Sequence, residues 1–152
     1  MKRVAAVAAM AVLSGTAVLA QDAPTGDAAA GEAQFGRQCV ACHVVVNEEG
    51  ETLAGRNART GPNLYGIVGR QPGTVEDFNY SDSLVAYGET GVVWEEENFV
   101  AYIQDPTGFL REALDDRRAR GKMAYQVRDE QQAHDIYAYL ASLGGGEEAE
   151  GE

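Results

Sequence analysis

The sequence predicts a single mostly α domain, with helices arranged around a long glycine-rich middle. Three observations carry that reading. An alanine-rich stretch follows Asp27, a residue suited to cap a helix start. Apolar side chains recur at helical spacing further on, at Phe99, Tyr102 and Ile103 and again at Ile136, Tyr139, Leu140 and Leu143. Between them, from Gly50 to Gly91, stand eight glycines and no long periodic segment. At 152 residues and 45% hydrophobic content, the chain has the material for one core.

Taken in chain order, Lys2 and Arg3 precede an apolar run from Val4 to Ala20 that ends in Val18-Leu19-Ala20. This is the pattern of a cleaved signal peptide over residues 1–20, so the protein is expected outside the cytoplasm, in the periplasm. The folded domain is expected over 21–143. Its first helix runs from the Asp27 cap to about Cys39, with Phe35 facing inward. A second opens at Trp94, where Glu95, Glu96 and Glu97 suit the positive end of the dipole, and stops at Pro106. A third runs from about Asp129 to Leu143, and Gly144-Gly145-Gly146 ends it. Residues 144–152 carry Glu147, Glu148, Glu150 and Glu152 without an apolar anchor, which predicts a disordered acidic tail. A structureless loop of some forty residues is uncommon in a compact domain, and a large bound cofactor would organise it.

The charge narrows the partners. With 24 Asp and Glu against 12 Lys and Arg, the formal net charge is −12. Nucleic acid and anionic membranes both call for a basic surface, so neither is expected as the main partner. Two cysteines cannot form a disulfide scaffold.

The chemistry lies in Cys39-Val40-Ala41-Cys42-His43. This spacing is a c-type haem attachment pattern. Two thiols three residues apart can each add to one vinyl group of the same porphyrin, and the next residue, His43, then sits under the iron as a nitrogen ligand. A thiol-disulfide enzyme also uses Cys-x-x-Cys, but at the start of a helix in a βαβ setting, and no alternating strand pattern surrounds Cys39. Zinc would want four ligands, and no second cysteine pair exists. The sixth iron position decides the activity. Beyond residue 20 the one methionine is Met123, in the polar stretch Arg120-Gly121-Lys122-Met123-Ala124-Tyr125. His134 is the rival, on a helix among Gln131, Gln132 and Asp135, where it reads as a surface group. An iron closed by a thioether carries electrons; one with a labile sixth position would bind small ligands or reduce peroxide, and this alternative stays open on the residues alone.

At this point the sequence resembles the class I c-type cytochromes, in particular the bacterial cytochrome c2 group, which is similar to mitochondrial cytochrome c. The resemblance spans 27–143. It rests on Cys39-Val40-Ala41-Cys42-His43, Arg59-Thr60-Gly61-Pro62-Asn63-Leu64-Tyr65-Gly66, Val68-Gly69-Arg70, Trp94, Tyr102 with Asp105-Pro106, and Gly121-Lys122-Met123. It implies the cytochrome c fold, with helices and long loops wrapped around one covalently bound haem c. It implies thioether links at Cys39 and Cys42, with His43 and Met123 as the iron ligands. Pro62 would offer its carbonyl to the His43 imidazole; Arg70, Tyr80 and Trp94 would hold a haem propionate, and Tyr102 would contact the methionine sulfur. Gly31 and Phe35 would form the surface on which the last helix crosses, near Ile136 and Tyr139. Two departures stand out: the segment from Phe109 to Met123 is longer than in the mitochondrial type, and Gly121 stands where a threonine is usual.

The resemblance also implies a monomeric, non-enzymatic shuttle, with a cytochrome bc complex as donor and a photosynthetic reaction centre or terminal oxidase as acceptor. Arg111, Arg117, Arg118, Arg120, Lys122 and Arg128 cluster around the expected distal ligand, and Arg37 and Arg59 match positions around the haem edge. A dipolar molecule is therefore expected, docking acidic partners through Arg37, Arg59, Arg120 and Lys122.

Overall fold

The computed structural model describes residues 23–144; the expected signal segment and all but the first residue of the expected tail lie outside them. The described residues form five helices and one small hairpin. Helix α1 (Ala28–Gln38) begins where Asp27 accepts a hydrogen bond from the Ala30 N–H, and helix α5 (Glu130–Leu143) begins the same way, with Asp129 accepting from Gln132. These caps satisfy donors that have no partner inside the helix.

The two helices cross closely because glycines let them. A Cβ at Gly31 would collide with the Asp135 carbonyl on α5, and one at Gly26 with the His134 carbonyl. At the same crossing the Phe35 and Tyr139 rings pack with centroids 5.7 Å apart. The expected inner faces of both helices are therefore the ones that meet.

Helix α3 (Glu96–Gln104) buries Phe99, Tyr102 and Ile103 on one face, as the spacing predicts. It opens two residues after Trp94, with Glu95 in the cap position and its N–H donating to the Asn98 side chain. Pro106 ends α3 but also starts a helix that the sequence reading lacks, α4 (Pro106–Ala113). The first helical position needs no N–H donor, so a proline fits there, and Asp105 caps the new helix by accepting from Gly108 at 3.0 Å.

The glycine-rich middle is not wholly irregular. Strands β1 (Val45–Val46) and β2 (Thr52–Ala54) pair antiparallel, and helix α2 (Asp82–Glu89) follows a Ser81 cap. Phe35, Val45, Leu110, Val127, Ile136 and Leu140 are among the largest fully enclosed side chains. They come from α1, the hairpin, α4, the segment before α5 and α5 itself, so the core closes only when distant parts of the chain meet. Ion pairs take little part: among the described residues one joins Arg118 and Asp116, at 3.8 Å on the surface, and His134 meets Glu96 in a contact that is ionic only when the imidazole is protonated.

Candidate functional site

The end of α1 sets one wall of the site. After Gln38 the chain makes a further turn, in which the N–H groups of Cys42 and His43 both donate to the Cys39 carbonyl, at 3.0 and 2.9 Å. This turn keeps the two cysteines and the histidine together at a cavity of about 630 Å³, a size in the ~300–1,000 Å³ range of cofactor sites. The cavity is lined by Cys39, Cys42, His43, Pro62, Arg70, Tyr80, Trp94, Tyr102 and Met123, so every site residue expected from the sequence meets there.

The His43 imidazole is fixed from behind. Its Nδ1 lies 3.0 Å from the Pro62 carbonyl and donates to it, which leaves Nε2 as the basic nitrogen. Burial pulls the His43 pKa down, with the Pro62 carbonyl opposing, so the ring stays neutral and its lone pair is available to a metal. The loop that carries Pro62 is tied to the hairpin by Asn63, whose side chain accepts from the Val46 N–H at 2.9 Å and donates to the Val46 carbonyl at 2.7 Å. Gly61 completes the arrangement, since a Cβ there would overlap the imidazole. Gly61 and Asn63 stand inside the motif read from the sequence, but their roles depend on contacts that spacing does not reveal.

The Cys39 thiol is unsuited to redox exchange. Burial, and then the neighbouring Cys42, push the Cys39 thiol up to about 12. A disulfide oxidoreductase needs a thiol that ionises easily, so the structure favours attachment over exchange.

The remaining walls supply polar groups within an apolar surround. The Arg70 guanidinium donates to the Tyr65 carbonyl at 2.7 Å and the Asn63 carbonyl at 3.3 Å, which pins it across the loop. Trp94 is held beside it by main-chain bonds, its N–H donating to the Arg70 carbonyl and its carbonyl accepting from Gly69. Tyr80 packs edge-on against Phe78 at 4.8 Å. Tyr102 sits between Trp94 and Phe109, and burial, then Tyr80, push its phenol up to about 12. Both Tyr80 and Tyr102 therefore face the cavity as neutral hydroxyls. Met123 enters from the segment between α4 and α5, far in sequence from His43.

His134 does not line this cavity. Its Nδ1 lies 2.7 Å from a Glu96 carboxylate oxygen, beside the Thr25 hydroxyl, so it fastens α5 to α3 and the N-terminal segment and is half-buried rather than a free surface group. Of the basic residues expected to dock partners, Arg37 and Lys122 are exposed and reach the cavity lining. Arg59 lines a neighbouring depression with Glu76 and Asp77, and Arg120 is exposed with its N–H bound to the Ser83 hydroxyl.

Comparison with known proteins agrees with this geometry. The chain matches the family model "Cytochrome c" over residues 28–144. The chain belongs to the cytochrome c family. Cytochrome c2 of Rhodovulum adriaticum is 63% identical over 124 residues, covering 82% of this chain and 98% of that protein. Cytochrome c2 of Cereibacter sphaeroides is 49% identical over 142 residues, covering 93% and 95%. The solved structure of cytochrome c2 from Rhodobacter sphaeroides superposes with a TM-score of 0.76 at 49% identity, over 78% of this chain and 97% of that one. These relatives place the protein in the bacterial class I, c2 group, and the mostly helical cytochrome c fold is the expected one. The cytochrome is an electron carrier and its cofactor is covalently bound haem c. The residues present fit that group: two adjacent thiols, a neutral imidazole with a free Nε2, and a mainly apolar enclosure with an arginine and phenols at its wall.

Proposed function

We propose that this cytochrome is a periplasmic one-electron shuttle, exported by its first twenty residues, that takes electrons from a cytochrome bc complex. It passes them to a photosynthetic reaction centre or a terminal oxidase. The observation that carries the reading is a single cavity that receives Cys39, Cys42 and His43 from one wall and Met123 from a separate segment. In this reading Cys39 and Cys42 would hold the haem by thioether bonds, and His43 and Met123 would ligate its iron. The haem iron, so ligated, supplies a one-electron couple with a raised potential.

The protein's own part is to hold and to shield. Pro62 keeps the proton on His43 Nδ1 and fixes the ring plane, so that ligand need not reorganise when the charge of the site changes. Arg70, Tyr80 and Trp94 would offer donors to a haem propionate at the cavity wall, where low dielectric strengthens each bond. Leu84, Phe99, Ile103 and Leu140 exclude water from the remaining walls. Arg37 and Lys122, exposed at the lining, give the otherwise acidic molecule a local positive patch that steers acidic partners to the mouth.

The test is an optical spectrum of the protein produced with haem in the periplasm, oxidised and reduced, with carbon monoxide added to the reduced form. A low-spin c-type spectrum with a sulfur-to-iron band that carbon monoxide leaves unchanged is the expected result, and Met123→Ala should lose that band. Rapid carbon monoxide binding by the wild type would instead establish an open sixth position.

A further inference from the structure

The segment that delivers Met123 has an unusual set of fastenings. Among the described residues, positions 120–126 make no backbone–backbone hydrogen bond, either as donors or as acceptors. Its upstream end is held by side chains of other elements: the Arg120 N–H donates to Ser83 at 3.0 Å and the Gly121 N–H to Thr107 at 3.2 Å. Downstream, the Val127 N–H donates to the Ile103 carbonyl at 2.9 Å. In between, the segment depends on its own side chains. Lys122 Nζ donates to the Asn79 carbonyl at 2.7 Å, Tyr125 Oη to Gln38 Oε1 at 3.0 Å, and Gln126 Nε2 to Asp105 Oδ1 at 3.3 Å.

The Tyr125 bond differs from the other two in what stands behind it. Gln38 is not a free surface side chain. Its Nε2 donates to Gln34 on the previous turn of α1 at 2.9 Å and to Gln132 on α5 at 2.8 Å, so its acceptor oxygen is aimed by both helices. Gln38 is also the immediate neighbour of Cys39. The Tyr125 ring, by contrast, is 48% exposed at the cavity lining, so burial alone does little to hold it. Its hydroxyl is the anchor.

We propose that Tyr125 is a positioning residue: its hydroxyl, bonded to Gln38, clamps the Met123 segment onto the α1–α5 pair and keeps it closed over the cavity. This rests on the reading of Met123 as an axial ligand. Opening the segment breaks the clamp, so the bond slows Met123 departure without touching the iron. A single hydrogen bond of ordinary net strength then corresponds to about a 2- to 10-fold change in the opening rate.

The experiment uses the oxidised, haem-loaded protein mixed with imidazole. At saturating imidazole, the loss of the sulfur-to-iron band is limited by Met123 release. Tyr125→Phe keeps the ring and removes the hydroxyl, and it is expected to raise that limiting rate about 2- to 10-fold. Gln38→Met should raise it at least as much, since it also removes the bonds to Gln34 and Gln132, and the double variant should be no faster than Gln38→Met, because the Tyr125–Gln38 bond can be lost only once. An unchanged rate in Tyr125→Phe, or factors that multiply in the double variant, would overturn the clamp. So would a lowered urea midpoint with an unchanged limiting rate, which marks a merely structural bond. A wild type without the sulfur-to-iron band would overturn Met123 ligation itself, a separate and recognisable failure.

Discussion

Helix α1 contains two glycines, five residues apart, for which the same substitution should have opposite effects. Gly36 is exposed, and a Cβ added there meets nothing within 4 Å. Gly36→Ala therefore gains helix propensity alone, a stabilisation of roughly 0.5–1 kcal/mol. Gly31 gains the same propensity, but its new Cβ would collide with the Asp135 carbonyl and stand 2.8 Å from the Tyr139 Cβ. One obstacle is main chain in the middle of α5 and cannot swing aside. Relief requires the helices to part, which weakens the Phe35–Tyr139 contact and the packing around Ile136. Overpacking of this kind costs about 1–3 kcal/mol, and main-chain contact puts Gly31 at the upper end. After the propensity gain, the net loss for Gly31→Ala is about 1–2 kcal/mol. Urea unfolding of the haem-loaded protein, followed by far-ultraviolet circular dichroism, measures both. With a slope of ~1–3 kcal/mol per molar, Gly31→Ala should unfold at a clearly lower urea concentration than the wild type and Gly36→Ala at a higher one. A Gly31→Ala midpoint at or above that of the wild type would refute the close crossing.

Three further outcomes follow from the site. Gly61→Ala should push the His43 ring off the Pro62 carbonyl, costing roughly 2–4 kcal/mol from overpacking and the lost bond together; a weakened low-spin spectrum and a lower urea midpoint check it. Arg70→Met removes donors to the Tyr65 and Asn63 carbonyls and should destabilise the fold by ~1–3 kcal/mol, read by the same unfolding assay. At Glu96, burial pushes the carboxyl pKa up, but bonds from Thr25 and His134 outweigh it and hold the group below its ordinary value. A depressed carboxyl pKa contributes stability that is present above the unfolded value and is lost as pH falls through the folded one. Glu96→Gln should therefore unfold more easily than the wild type at pH 7, and the gap should narrow as pH falls through and below the ordinary carboxylate range, as unfolding curves recorded across that range will show.

Much of this molecule is legible in its residues because the informative signals are local. Asp27 and the long periodic stripe ending at Leu143 place α1 and α5 to within a residue, and Cys39, Cys42 and His43 announce the site by spacing alone. Helix α2 escapes because eight residues, with Gly88 near the end and only Leu84, Tyr87 and Gly88 turned inward, are too short for a period to show. Helix α4 escapes because Pro106 signals an end and a beginning with the same chemistry. At the site, the residues missed act through bonds across long sequence separations. Asn63 ties the Pro62 loop to Val46, Gly61 makes room for an imidazole eighteen residues away, and Tyr125 reaches Gln38 on the other side of the cavity. Such pairings have no period, and only the closed chain brings them together.

The scarcity of ion pairs has a consequence for how such a surface can change over time. In a chain with 24 acidic and 12 basic residues, the described fold holds a lone Arg–Asp ion pair on the surface and a His–Glu contact. Its charges act on one another mainly through solvent, as a field that salt screens, and not as struts. Sign and number at most exposed positions can then drift with habitat or partner while helices, caps and cavity stay as they are. Docking preference and foldability are separate inheritances in this protein, written on different atoms.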